Sequence, residues 1–270
     1  MSVVVPGAGR DESLVAKTLF GLEGVLADEL RLLGAKDVKT VSRAVTFVGD
    51  LGFMYKANLM LTTALRVLRP IHEFGVLTKE DLYRGSLEVA WPDWFSPDST
   101  FVVRCSGAHP AFTHSGFAAL VVKDAVADSF RKKFGRRPDV GKENPDIVID
   151  VRLTPHRAYL SLDSSGHSLH RRGYRQEVGA APMSEVLAAG ILRLVGYRGD
   201  RPLLDPMCGS GTFPIEAALQ ADRMAPGLFR DKFAFQSWSD YSEDLHAKIE
   251  ESVLKKGREG LAPIFGWDRE

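Results

Sequence analysis

Apolar positions in the first eighty residues alternate between helix-like and strand-like spacing. Leucine and valine recur at helical intervals over 21–33, which Gly34 ends, and again over 51–61. Runs of apolar and β-branched residues predict strands at 14–20, 38–42, 44–49 and 66–76. The resulting order, β-α-β-β-α-β, is that of a ferredoxin-like unit.

A second group of elements follows, dominated by one long amphipathic helix over 115–134. This helix ends in a basic turn before Gly135. The residues predicted on or near its apolar face are Phe117, Leu120, Val121, Ala125 and Phe130. The other predicted elements are a helix at 79–90 and strands at 101–106, 147–153 and 158–162.

The pattern changes again after a polar linker at 164–179. A short buried strand is predicted at 202–205, and a second apolar strand at 263–268. Helices are predicted at 182–195, 212–221 and 245–256. Strands and helices therefore alternate in this last part, which is typical of an α/β fold.

Composition is ordinary for a soluble globular protein, with 44% hydrophobic and 26% charged residues. The formal net charge of +0 argues against a chain that simply coats nucleic acid. Positive charge is nevertheless concentrated in the first half. Residues 121–142 hold seven Lys or Arg against three Asp, whereas residues 216–250 hold seven acids against four bases.

The two cysteines, Cys105 and Cys208, are too few and too far apart to predict a disulfide framework or a zinc site. This favours a reducing, cytoplasmic location. No apolar run reaches the roughly 18 residues that a membrane helix needs. Residues 1–12 have no basic head followed by a long apolar core, so we interpret them as a flexible tail and not as a secretory signal.

The most informative run is 203–212, in which a strand ends in Asp205 and a glycine-rich turn opens a helix. Glycine permits positive φ and close approach of a ligand to the main chain. A helix N-terminus directs amides and a positive dipole end toward negative charge. Pro214 stands where a dinucleotide fingerprint needs its third glycine, and no Gly-Lys-Ser/Thr follows, so neither that fingerprint nor a P-loop is present.

Two glycines alone would predict an ordinary turn, but the longer string is more specific. Asp205–Thr212 resembles the S-adenosylmethionine loop of methyltransferases that modify exocyclic amines. The wider run LLDPMCGSGTFPIEAALQADRMAPGL resembles the bacterial guanine-N2 methyltransferases of large-subunit (23S) ribosomal RNA. Supporting runs are LHRRGYR at 169–175, APMSEVLA at 181–188 and FQSW at 235–238. The resemblance covers nearly the whole chain after residue 12.

The resemblance implies an α/β fold with an α+β N-terminal half. After the tail, we expect a ferredoxin-like segment at 13–54, a THUMP RNA-binding domain at 55–165 and a linker at 166–180. The start of a Rossmann-like class I methyltransferase domain is expected at 181–270. Such a domain needs about seven strands and only two are predicted, so we expect the chain to be the N-terminal part of a longer protein.

The resemblance also implies a set of cofactor-binding residues. These are Asp205, Pro206, Cys208, Gly209, Gly211, Thr212, Glu185 and Asp268. Asp268 would accept hydrogen bonds from both ribose hydroxyls, as in Rossmann enzymes, and its alternative is an ordinary surface acid. Glu185 faces the cofactor or interacts with its own helix dipole. Cys208 has no indicated histidine partner and is expected to be a small buried residue. No metal site is predicted.

Two cationic segments are expected to contact RNA. Their residues are Lys123, Arg131, Lys132, Lys133, Arg136, Arg137, Arg171, Arg172, Tyr174 and Arg175. The cations at 131–137 also complement the end of a helix dipole, so a solvated capping role is the alternative to phosphate contact. The linker at 171–175 combines arginines with an aromatic ring, which suits backbone contact and base stacking, or it is merely solvated.

The implied reaction is methyl transfer from S-adenosylmethionine to guanine N2 in large-subunit ribosomal RNA. That amine is a poor nucleophile, so the enzyme must align it and accept its hydrogen bonds. The family does this with an Asn-Pro-Pro-Tyr motif, which is missing. The similar string at 144–146 lies in the RNA-binding half. We therefore expect no catalytic residue here and no activity from the chain alone. A tRNA guanine-N2 methyltransferase and a non-catalytic RNA-binding protein remain alternatives.

Overall fold

The computed structural model describes residues 10–141, 143–174, 183–254 and 260–269. The predicted RNA contact of Arg175 lies outside these residues, as do tail residues 1–9 and the predicted helix start at 182. No helix in the described part combines the length and apolar character needed to cross a membrane.

The first group of elements has the predicted order, which confirms the ferredoxin-like pattern. It consists of β1 (Glu12–Lys17), α1 (Glu23–Leu33), β2 (Lys36–Val41), β3 (Ala44–Gly49), α2 (Leu51–Met60) and β4 (Arg66–Gly75). Gly34 ends α1 in the left-handed conformation, with φ of 99°. The Asp50 side chain begins α2 by accepting a hydrogen bond from the Phe53 amide at 2.7 Å. The domain boundary predicted after residue 54 falls inside α2.

The second group also follows the predicted order, with two additional short elements. It consists of α3 (Lys79–Leu87), α4 (Trp91–Trp94), β5 (Thr100–Gly107), α5 (Ser115–Phe134), β6 (Asp139–Val140), β7 (Ile147–Thr154) and β8 (Arg157–Asp163). Thr78 and Asp81 form a reciprocal capping box at the start of α3. The helix predicted at 79–90 ends earlier, because the chain leaves it to form the separate turn of α4.

The last group contains α6 (Glu185–Leu194), β9 (Leu203–Asp205), α7 (Thr212–Asp222), α8 (Glu243–Val253) and β10 (Ile264–Gly266). Two short 3-10 helices, Pro226–Phe229 and Ala234–Ser237, lie in the aromatic-rich stretch between α7 and α8. β9 and β10 pair in parallel, with Asp205 opposite Gly266.

The chain forms two compact units. The first comprises residues 10–14, 68–167 and 232–242 and contains neighbouring strands in the order β4-β8-β7-β5-β6. Within it, β5 runs parallel to both β6 and β7, whereas β8 is antiparallel to β4 and β7. The second comprises residues 15–67, 168–231 and 243–269 and contains the antiparallel β2–β3 hairpin and the parallel β9–β10 pair.

The prediction of which α5 residues form its buried face is partly wrong. Phe117 and Leu120 are 40% and 52% exposed. The buried residues of this helix are Ala118, Val122, Ala125, Val126, Ala127 and Phe130. The buried face of α5 is therefore centred on small residues. With 3.6 residues per turn, Phe117 and Leu120 lie at the edge of this face.

The strand predicted as buried at 202–205 is also corrected. Leu204 is 55% exposed, and Phe265, which lies opposite it on β10, is 51% exposed. One face of this strand pair is thus uncovered. The other side of the pair packs through Leu203 and Ile264 against Leu192 and Ala217, in a small core shared with α6 and α7.

A buried arginine, Arg69, joins two distant carboxylates of the first unit. The Arg69 side chain is 2% exposed, and its guanidinium donates to both Glu12 carboxylate oxygens at 2.6 and 2.7 Å and to Asp240 at 2.6 Å. Trp94 and Trp238 lie within 4.9 and 5.9 Å of the guanidinium. Burial disfavours the charge, but both carboxylates outweigh that effect and raise the pKa of Arg69.

We expect Arg69→Met to lower the free energy of unfolding by about 3–5 kcal/mol, because it leaves two partly buried carboxylates without their cation. Urea denaturation measures this change. Arg31→Met is the control, since Arg31 is exposed and, among the described residues, its side chain pairs with Asp28 alone, on the same helix. Its effect should stay within about 0.5 kcal/mol. Equal losses in the two variants would contradict the role given to Arg69.

Candidate cofactor bend and RNA-contact surface

The glycine-rich bend between β9 and α7 has the backbone conformation that the sequence predicts. Gly209 and Gly211 have φ of 52° and 76°, a region that favours glycine. Gly211 is the N-cap of α7, and no side chain caps this helix. A Cβ atom at Gly209 would meet nothing within 4 Å. The space on the Cβ side of Gly209 is therefore open.

Asp268 lies beside this bend although 59 residues separate it from Gly209. The Gly209 amide donates a hydrogen bond to the Asp268 carboxylate at 2.8 Å. The amide of Arg269 donates to the same carboxylate at 2.7 Å. These backbone hydrogen bonds lower the pKa of Asp268, whose side chain is exposed. The parallel pairing of β9 and β10 brings the two strand ends together and so explains the proximity.

The sequence analysis did not predict a close contact between Gly266 of β10 and the residues of the bend and of α7. A Cβ atom at Gly266 would lie 2.9 Å from Pro214 and 3.2 Å from both Cβ and Sγ of Cys208. Only glycine fits there without a shift of its neighbours. Cys208 is partly buried and packs against this glycine, so it fills space as expected, although less deeply. Its amide also donates to the Trp267 carbonyl at 3.2 Å, which extends the strand pairing into the bend.

The remaining predicted cofactor residues differ in exposure. Asp205 is half-buried and accepts a hydrogen bond from the Met207 amide at 3.2 Å. Pro206 is exposed at the bend, and Thr212 is buried in the first turn of α7. Glu185 is 6% exposed at the start of α6. Its charge contributes to raising the pKa of Tyr174 and of Glu216, a buried acid on α7.

The prediction that Arg172 contacts RNA is wrong, because the residue is buried. Its side chain is 2% exposed and donates to Glu216 on α7 at 3.3 Å. It also donates to the backbone carbonyls of Leu169, at 2.8 Å, and Thr62. Every side of the guanidinium is therefore directed to groups inside the protein, and none of it is available to a phosphate.

Glu216 is a buried acid that the sequence analysis did not single out. It is 1% exposed, and Tyr174, a second predicted RNA residue, donates its hydroxyl to it at 3.0 Å. Burial raises the pKa of Glu216, and the Arg172 charge and the hydrogen bonds oppose that rise. Burial likewise raises the pKa of Tyr174. The signal that the sequence offered was an acid flanked by apolar residues over 213–219.

Another buried carboxylate, that of Glu29, lies beside the turn at Thr62 and Thr63, where Arg172 donates to the Thr62 carbonyl. Glu29 of α1 accepts hydrogen bonds from the amides of Thr62 and Thr63 at 3.0 and 2.9 Å and from both hydroxyls. Arg193 of α6 pairs with Glu29 at 2.8 Å and donates to the Thr62 hydroxyl at 2.8 Å. The turn at 62–63 thus has polar links to two arginines, Arg172 and Arg193.

The cations at the end of α5 are largely paired with carboxylates of the same unit. Arg131 pairs with Asp128 at 2.7 Å, and further along the segment Lys133 pairs with Asp93 at 2.9 Å and Arg136 with Asp98 at 2.7 Å. All of these side chains are well exposed, so each pair contributes little to stability. Counting cations along the sequence therefore overestimated the free positive charge.

Two cations of this segment, Lys132 and Arg137, are exposed and have no carboxylate partner among the described residues. Lys123 is less accessible, at 25% side-chain exposure, and pairs with its neighbour Asp124. Arg171 is exposed, and its carbonyl accepts a hydrogen bond from Arg230 at 2.6 Å. Within the described ranges, no group of three His, Cys, Asp or Glu is placed to hold a metal ion.

Three family models match consecutive segments of the chain. An RlmL ferredoxin-like domain matches residues 13–68, a THUMP domain matches residues 77–163, and an RMKL-like methyltransferase domain matches residues 172–270.

Two curated relatives are similar to the chain over about nine tenths of its length. A Synechocystis protein provisionally named an RNA methyltransferase is 43% identical over 249 residues, which are 92% of this chain and 65% of that protein. The ribosomal RNA large subunit methyltransferase K/L of Cellvibrio japonicus is 43% identical over 248 residues, which are 90% of this chain and 33% of that protein. The chain thus spans only part of the length of these relatives.

Solved structures agree with the fold. A Listeria monocytogenes protein provisionally named an N6-adenine-specific DNA methylase superposes with a TM-score of 0.86 at 31% identity, covering 97% of this chain and 68% of that one. SMU.472, provisionally named a methyltransferase and solved with SAH, gives a TM-score of 0.83 at 31% identity, covering 97% and 69%.

The Asp268–Gly209 hydrogen bond predicts a pH-dependent signal. Since the folded-state pKa is below the ordinary 3.8, the bond is fully present above that value and is lost as the pH falls through the lower folded pKa. The amide proton shift of Gly209, followed by NMR, should titrate with a midpoint below 3.8. Asp268→Asn should abolish this titration, and a midpoint at or above the ordinary value would show that the bond is not formed.

Proposed function

Because this chain belongs to the family of THUMP-containing, RMKL-like methyltransferases, we propose that it serves S-adenosylmethionine-dependent methylation of guanine N2 in large-subunit ribosomal RNA. It would contribute the cofactor-binding bend and an RNA-contact surface to this reaction. The target class follows the K/L relative, whose name specifies the large ribosomal subunit. Such a substrate implies activity in the cytoplasm.

The observation that carries the proposal is the open bend at Gly209, with an acidic side chain at the end of the neighbouring strand. Positive φ at two glycines leaves the main chain accessible, and the uncapped start of α7 directs a positive dipole end toward the same place. The carboxylate of Asp268 has the exposure needed to accept ribose hydroxyls. A relative solved with SAH supports a cofactor of this kind.

When bound, S-adenosylmethionine supplies an electrophilic methyl group. The residues of this chain would hold it: the backbone of the bend and Asp205 at the methionine end, and Asp268 at the ribose. Alignment of the guanine amine requires a target-base motif that these 270 residues do not contain. We therefore propose that the chain by itself binds cofactor and RNA without transferring the methyl group.

RNA contact is proposed for the exposed end of α5 and for Arg171. Lys132 and Arg137 are the strongest candidates there, because no carboxylate of the described residues competes for them. Arg131, Lys133 and Arg136 can exchange a carboxylate for a phosphate at small cost, since their ion pairs are exposed. The THUMP match covers this helix.

Gly209→Val should abolish S-adenosylmethionine binding, because a β-branched residue cannot adopt the φ of 52° without strain and the bend must rearrange. Isothermal titration calorimetry measures the binding. Gly196→Val is the matched control, since Gly196 has φ of 68° and equally open surroundings but lies outside the bend. Persistence of the binding heat in Gly209→Val would count against the bend as the cofactor site.

The RNA surface is tested with two double variants of equal charge change. Lys132→Gln with Arg137→Gln should lower the slope of log affinity against log salt by about 1.4–1.8, because each lost phosphate contact accounts for about 0.7–0.9. Lys133→Gln with Arg136→Gln should lower it less, since both cations already hold carboxylates. Fluorescence anisotropy with a ribosomal RNA fragment gives both slopes. A slope left unchanged by Lys132→Gln with Arg137→Gln would reject the assignment of Lys132 and Arg137.

A further inference from the structure

Residues 168–174 of the segment predicted to be a polar linker are a packed part of the second unit. Leu169 is 2% exposed, and its amide donates to the Leu65 carbonyl at 2.8 Å. A Cβ atom at Gly173 would lie 2.0 Å from the Phe229 carbonyl oxygen. The backbone at Gly173 is therefore in close contact with the 3-10 helix Pro226–Phe229. Residues 168–174 are thus held at several points along their length.

Arg172 connects this segment to the helix that follows the glycine bend. Its guanidinium reaches Glu216 at 3.3 and 3.5 Å, and both side chains are 2% exposed or less. Glu216 lies about one helical turn after Thr212, the first residue of α7. The Ile215 amide donates to the Gly211 carbonyl at 2.9 Å, so the bend and the first turn of α7 are continuous in their hydrogen bonding.

The other side of the guanidinium is fixed to the backbone of two further segments. It donates to the Leu169 carbonyl at 2.8 Å and to the Thr62 carbonyl. Both acceptors are backbone carbonyl oxygens, so a change of side-chain rotamer at Leu169 or Thr62 does not move them. Through Arg172, Glu216 on the first part of α7 is therefore linked to the backbone at positions 62 and 169.

We propose that Arg172 and Glu216 are positioning residues for the cofactor bend: they fix α7 so that the backbone of the bend is held in place for the cofactor. This inference rests on the proposed function, since it concerns the same bend. Neither residue needs to touch the cofactor. Arg172 acts through Glu216, and Glu216 acts through the first turn of α7, which carries Gly211 at its N-cap.

Hydrogen exchange of the whole 270-residue chain tests the proposal without any cofactor. In Arg172→Met, exchange should rise about 10-fold or more at the amides of residues 209–216, because the buried carboxylate of Glu216 loses its cation and α7 is no longer held. Arg172→Lys should give an intermediate rise, since lysine keeps the charge but cannot reach Glu216 and both carbonyls together.

Arg193→Met is the matched control. Arg193 contacts the same Thr62 and a buried carboxylate, but it lies on α6 and makes no ion pair with α7. Exchange should rise at 185–194 and stay unchanged at 209–216. An equal rise at 209–216 in this control would indicate general loosening and would overturn the proposal. So would unchanged exchange at 209–216 in Arg172→Met or, if that variant does not fold, in Arg172→Lys.

Calorimetry with S-adenosylmethionine separates this proposal from the function on which it rests. The Kd should increase about 10-fold or more in Arg172→Met, because small misplacements of binding groups have effects of this size. Arg172→Lys should recover part of the affinity. No binding by the unmodified chain would reject the proposed function, whereas binding that is equal in all variants would reject only the positioning role.

Discussion

A charge can be buried in a protein only if opposite charge and hydrogen-bond partners are buried with it. In the second unit, this constraint governs Arg172, Glu216 and Glu29, whose partner Arg193 is itself only partly buried. The acids lie on α1 and α7, whereas the turn at 62–63 supplies backbone and hydroxyl partners for the arginines. These ion pairs therefore link segments that are distant in sequence, because Glu29, Arg172, Arg193 and Glu216 each find a partner on a different segment.

The same physics gives a different result at the surface. The cations at the end of α5 form ion pairs that are open to water, where an exposed pair contributes little and can exchange partners. Positive charge there remains accessible from the solvent, although less of it is free than the sequence suggests. Arg69 in the first unit is the opposite case, since two carboxylates and two tryptophans enclose it completely.

Elements with strong local signals could be predicted from the sequence, and most of the fold follows from them. The ends of α5 were predicted to the residue, since His114 caps the helix and Gly135 stops it. The bend at Gly209 could be predicted because its conformation depends on glycine itself. The face of α5 could not be predicted, because the residues that bury Ala118 and not Phe117 come from elements elsewhere in the chain.

The sequence alone determined the order of elements, the glycine bend and the family resemblance, because each depends on neighbouring residues or on spacing within one segment. Tertiary structure alone decided which charged residues are buried. Arg171 and Arg172 are adjacent and chemically identical, yet one is exposed and the other is enclosed with Glu216. Burial is set by what packs against a side chain, and for Arg172 the partners come from positions 62, 169 and 216.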